Sequence, residues 1–151
     1  MLVTPCQAVI VTALPDSART LIESGRIAHC TTLNPDGGPQ VSAVWIGLEG
    51  SGDDTEIVMG HLGDHRKVRN LRRDPRIAFS LESTEENAIG MRHNLVIYGT
   101  ATITEGGAPE LLRRLGHVYT GGEFRLPPDP PPGYVVRVRV DRVAGLGPWS
   151  E

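Results

Sequence analysis

The residues best equipped for chemistry in this chain fall in one short run: Asp64-His65-Arg66-Lys67-Val68-Arg69-Asn70-Leu71-Arg72-Arg73-Asp74-Pro75-Arg76. It holds six of the fifteen Lys/Arg residues, in a chain of formal net charge −3, and Lys67 is the only lysine. An ammonium on a flexible stem, flanked by guanidinium forks, is suited to gripping phosphate or carboxylate. If Asp64 caps a helix here, His65, Arg66 and Lys67 occupy its first turn, where free backbone N–H groups and the helix dipole also favour an anion. Helix-stabilising placement would put acids first and bases last, so these cations cost about a few tenths of a kcal/mol that an incoming anion relieves. Lys67 and Asn70 share a face, as do Arg66, Asn70 and Arg73, while Val68 and Leu71 supply the buried side. From the residues alone the run is either an anion site or an amphipathic surface helix with solvated arginines.

Elsewhere the chemical signals are weaker. His61 and His65 flank Asp64, but their spacing straddles an expected strand end and helix start, and no third ligand lies nearby, so no metal is expected. His29 reads as a strand residue, and His93 and His117 have no partner pattern. GxSxG, HExxH, Walker A and GxGxxG motifs are absent, and Gly47-Leu48-Glu49-Gly50-Ser51-Gly52 is a turn, not a dinucleotide fingerprint. With no nucleophile or acid/base dyad in view, catalysis would rest on a bound cofactor.

The bulk properties narrow the class. A length of 151 residues with 39% hydrophobic and 22% charged side chains fits one domain, 1–151, with one core. The acidic balance argues against general nucleic-acid binding, although a local basic pocket is compatible with it. No apolar run is long enough to span a bilayer, and the N-terminal stretch lacks the basic region of a secretory signal. Cys6 and Cys30 are too few for a disulfide scaffold and read as reduced thiols, Cys30 in the core, which points to the cytoplasm.

The elements that must position the basic run follow from turn chemistry and periodicity. A first helix is expected over Ser17–Ser24, with Asp16 as N-cap and Gly25 as stop. Arg26–Leu33 and Gln40–Leu48 read as two strands joined by Asn34-Pro35-Asp36-Gly37-Gly38, a hairpin. The second strand carries apolar groups on both faces, as if covered on both sides. Glu56–His61 is a third strand, followed by the basic helix from Asp64 to about Arg73, which Pro75 ends. Arg76–Glu82 and His93–Thr104 are strands, the latter with a bend or bulge at Gly99. The stretch 82–92 reads as a loop. A helix over Ala108–Tyr119 precedes a stiff proline-rich loop in 121–133. Tyr134–Val143 alternates as a half-exposed strand, with an irregular tail after it. Six sequential antiparallel strands without crossover helices favour a small β-barrel, mainly β with short helices.

The order of helix, hairpin, strand, basic helix and strand, with the strings NPDGGPQVSAVWI, HRKVRNLRRDPRIAFSLE and YGTATIT, resembles a known family. It is similar to the pyridoxamine-5′-phosphate-oxidase-like flavoproteins, and within them to the deazaflavin-dependent (coenzyme F-420) oxidoreductase branch, over roughly residues 21–144. The resemblance implies an FMN-binding, Greek-key-like split β-barrel that forms a homodimer with the cofactor at the interface. It implies that Val41, Ser42, Ala43, Val44 and Trp45 lay their backbone along the cofactor ring. Gly60, His61, His65, Arg66, Lys67 and Asn70 would hold its phosphate, and Pro148 and Trp149 would approach from the other subunit. For Trp45 a core role is equally open. The cofactor implied is coenzyme F-420, with FMN as the alternative, and the activity is hydride transfer with a small unsaturated substrate. The missing Arg-Leu-Ala-Pro-type ending argues against pyridoxal phosphate synthesis. An FMN reductase or oxidase, a non-catalytic flavin or haem binder, and a protein that uses the basic helix structurally are the competing expectations. Neither nucleic acid nor membrane is expected as a partner.

Overall fold

A computed structural model describes residues 13–150; Cys6 and the N-terminal apolar stretch lie outside them. The elements run α1 (Asp16–Glu23), β1 (Ala28–Leu33), β2 (Pro39–Val44), β3 (Gly47–Glu49), β4 (Glu56–His61), α2 (Arg66–Arg73), β5 (Arg76–Glu86), β6 (Arg92–Glu105), α3 (Ala108–Thr120) and β7 (Tyr134–Leu146). Single 3-10 turns cover Gly52–Asp54 and Pro148–Ser150. The strands form one antiparallel sheet in the order β2-β1-β5-β6-β7-β4-β3, curled as a split barrel.

Local chemistry explains the framework. In the β1–β2 turn Gly37 adopts φ 83°, open to glycine at little cost, and its N–H donates to the Asn34 carbonyl at 2.8 Å. The side chain of Asp36 accepts from the Gly38 N–H at 2.9 Å, an Asx-type closure. The expected irregularity at Gly99 is present: the β6–β7 register shifts between Tyr98 and Gly99, leaving Asp141 as the extra residue. A Cβ at Gly99 would collide with Val138 and the Arg139 carbonyl. Inside the curl, Cys30, Phe79, Ile97, Ile57, Met59, Val136 and Val138 make the main core. A second cluster, Val58, Leu111, Leu115 and Val135 with Trp45 and Tyr119 against it, seats α3 on the other side of β4 and β7.

Several expectations are corrected. The sheet has seven strands, because the long second strand breaks after Val44. There the Ile46 N–H donates to the Tyr119 hydroxyl at 3.0 Å, and that hydroxyl lies 3.1 Å from the Ile46 carbonyl, so these groups leave the ladder. Nor is that strand covered on both sides: Val41 is 60% exposed. Its neighbours across the outer face, His29, Ser80 and Tyr98, are exposed as well. Pro15, not Asp16, is the cap residue of α1, and His65, not Asp64, that of α2. Asp64 is drawn away by Arg72, 2.8 Å from its carboxylate, while the His65 carbonyl accepts from the Val68 and Arg69 N–H groups. Most of 82–92 is strand: β5 runs on to Glu86 with Ser83 buried between exposed Glu82 and Thr84, and the turn is confined to Asn87–Met91. The tail is ordered by Trp149, whose indole N–H donates to the Asn94 carbonyl at 3.0 Å.

Candidate functional site

The end of β4, the first turn of α2 and the end of β2 surround a cleft of about 370 Å³. Its basic wall is Lys67, Arg66 and His65; its floor includes Gly60 and His61; Ala43, Val44 and Trp45 form the opposite side. Gln40, Ile27 and Leu112 complete it and were missed from sequence: Leu112 comes from α3 and Ile27 from the segment before β1, while Gln40 lies on β2 itself, next to Val41. Among the described residues β2 is an edge strand, so its outward backbone N–H and C=O groups face no neighbouring strand.

His61 is the most unusual group in the cleft. It is 8% exposed, and its Nε2 is buried without a hydrogen-bond partner. Burial first, then the charges of Lys67 and His65, push its pKa down to about 3, so it stays a neutral imidazole. Its ring meets that of His65 edge-on at 5.8 Å, and among the described residues no cluster of three His, Cys, Asp or Glu could hold a metal. Cys30 sits in the core with its thiol pushed up to about 11 by burial, partly offset by Lys67, which makes it unreactive.

The other expected residues divide clearly. Asn70 does not face the cleft: its buried amide donates to Thr32 Oγ1 and Asn34 Oδ1, both at 3.1 Å, pinning α2 to the β1–β2 hairpin. Ser42 is on the inner face with its hydroxyl unpartnered, and Val41 projects outward. Trp149 lies away from the cleft of its own chain, packed into the core. Trp45 lines the cleft and also packs inward, stacked on Tyr119 with centroids 5.2 Å apart and meeting Phe124 edge-on. The Tyr119 hydroxyl, 3.0 Å from the Arg26 carbonyl and bonded to Ile46, ties the residue after Trp45 to the segment that leads into β1. Its rarity as an aromatic was the only signal in the sequence for this role.

The remaining basic residues of the run are committed elsewhere. Arg69 donates to the Asp64 carbonyl, Arg73 to the Leu33 carbonyl, and Arg72 pairs with Asp64 and stacks over Tyr134. Arg76 chelates Asp74. Among the described residues, Arg66 and Lys67 are the only Lys or Arg residues that line the cleft.

The model of the pyridoxamine 5′-phosphate oxidase family matches residues 14–147. The chain belongs to that family. No curated protein matches it in sequence. Among solved structures, an F-420 reductase superposes with a TM-score of 0.71 at 23% identity, over 87% of this chain and 98% of that one. A conserved hypothetical protein from Mycobacterium tuberculosis gives 0.65 at 26% identity, over 95% and 89%. HupZ of Group A Streptococcus gives 0.64 at 16% identity, over 91% and 98%. These likenesses establish the split-barrel fold across the family member's length. Among the described residues no helix is long and apolar enough to cross a membrane.

The residues present fit a phosphate-bearing ring cofactor. The donor set of Lys67, Arg66 and the α2 first turn suits the phosphate. The unpartnered His61 nitrogen and the free edge of β2 offer hydrogen bonds that nothing among the described residues takes up.

Proposed function

We propose that this family member is an oxidoreductase that holds coenzyme F-420 in the Lys67 cleft and catalyses hydride transfer to or from a small unsaturated substrate. One observation carries the reading: the chain's only lysine shares the α2 first turn with Arg66, beside a buried imidazole nitrogen without a partner. When bound, the cofactor supplies a ring carbon that gives or accepts the hydride. The chain's part is positioning. Lys67, Arg66 and His65 hold the phosphate, the β2 edge from Val41 to Val44 meets the ring, and Trp45, locked by Tyr119, closes one side against water. A second cation beside Lys67 and the fold shared with an F-420 reductase favour the deazaflavin over FMN.

The protein acts as a homodimer in the cytoplasm, with the cofactor at the interface. This is supported by the uncovered outer sheet face, where Val41, Ile27 and Tyr98 are 60%, 46% and 44% exposed. Fluorescence titration of the purified protein with F-420 and with FMN tests the cofactor assignment. Tighter F-420 binding is expected, and clearly tighter FMN binding would reassign the site to an FMN enzyme.

A further inference from the structure

A larger cavity, about 650 Å³, opens on the outer face of β1, β5 and β6, and of the cleft residues named above Ile27 alone also lines it. It adjoins the Lys67 cleft directly. Ile27 lines both, and Ala43 of the cleft is the register partner of His29 in the cavity, which in turn pairs with Ser80.

Its electrostatics are specific. The Arg26 Nε donates to the Glu82 carbonyl at 3.0 Å, and among the described residues nothing accepts from its two Nη groups. Arg92 reaches the Glu82 carboxylate only loosely, at 3.8 Å, with both side chains more than half exposed. Two guanidinium groups against one carboxylate leave one positive charge on the wall, matched to a single negative charge. The planar guanidinium fork suits a carboxylate better than an ammonium would. Ile27 and Leu81 add apolar surface, and Asn94 and Ser80 add polar groups, the mixed lining typical of a small-molecule site.

We infer that this cavity is the substrate subsite, and that it takes a small conjugated monocarboxylate whose carboxylate is gripped by Arg26 and Arg92 while its unsaturated end reaches Ile27 at the mouth of the Lys67 cleft. Its role as substrate rests on the cofactor reading of that cleft; the binding of the carboxylate does not.

Cinnamate and its neutral analogue cinnamide serve as probes, followed by NMR shift perturbation of the full chain. Cinnamate binds, and cinnamide binds about tenfold more weakly, the difference between a charge-assisted and a neutral hydrogen bond. Arg92→Gln, at an exposed position, and Arg26→Gln each bring cinnamate down to the cinnamide level while F-420 affinity persists. Lys67→Ala leaves cinnamate affinity unchanged while weakening F-420. Equal binding of acid and amide, or loss of cinnamate with Lys67→Ala, overturns the subsite. Failure of the wild-type chain to bind F-420 or FMN, with the cinnamate results intact, removes the cofactor reading and leaves a carboxylate site.

Discussion

At its first turn α2 presents Lys67 and Arg66 to an open cleft, beside a neutral histidine with an idle nitrogen. From Arg69 onward the same helix turns its guanidinium groups back on the chain: to the Asp64 and Leu33 carbonyls, the Asp64 carboxylate and the Tyr134 ring. The charge density is similar at both ends, but the availability of that charge is not. Density of basic residues is therefore a poor guide to an anion site. A cation whose donors are all taken up by acceptors holds the fold together, whereas one with donors left over can hold a ligand.

The largest effect that sharpens this contrast is the acid response of His61, on the cleft side. Its folded pKa of about 3 lies below the 6.5 of the unfolded chain. As pH falls through 6.5 the unfolded chain takes up a proton that the folded chain refuses, so stability drops between pH 6.5 and 3 and is unaffected by His61 above that window. At pH 4 the loss is on the order of 3 kcal/mol. Urea melts at pH 7 and pH 4 should show His61→Gln flattening this limb; an unchanged acid slope would mean that His61 is not held neutral.

Next in size is Asn70→Ala, which removes the amide that ties α2 to the hairpin and leaves Thr32 and Asn34 short of a donor. A stability loss of about 1–3 kcal/mol is expected in the same melts. A neutral result would place the anchoring of α2 elsewhere. Arg66→Ala, at an exposed cation of the first turn, should reduce cofactor affinity by about 1 kcal/mol or less, measured by fluorescence titration. Arg72→Ala should leave that affinity unchanged. If Arg72→Ala weakened binding as much as Arg66→Ala, the two ends of the helix would not differ as described.

Where local rules govern, the sequence was legible. Glu56–His61 was read with its final boundaries, and the Asn34–Gly38 turn and the Ala108 start of α3 also follow from local residue chemistry. The Gly99 irregularity was visible for the same reason. What was hidden depends on distant partners. The break after Val44 is imposed by Tyr119, 73 residues away. The α2 cap moves to His65 because Arg72 captures Asp64. The continuation of β5 to Glu86 is masked by outward glutamates around a buried Ser83. In the site, Lys67, Arg66, His61 and Trp45 were readable, whereas Asn70 looked like a ligand until its amide was seen bonded to the hairpin. Ile27 and Leu112 reach the cleft only through folding.

The central claim, that Lys67 grips a cofactor phosphate which the later arginines of α2 never touch, is tested most directly by one comparison. Affinities for F-420 and for its phosphate-free deazaflavin should be measured in the wild type, Lys67→Ala and Arg72→Ala. The account predicts a wild-type preference for the phosphate-bearing form that Arg72→Ala retains and Lys67→Ala reduces by about 1.5–3 kcal/mol, the scale of a charge-assisted hydrogen bond. A folded Lys67→Ala protein that keeps the full preference would contradict it.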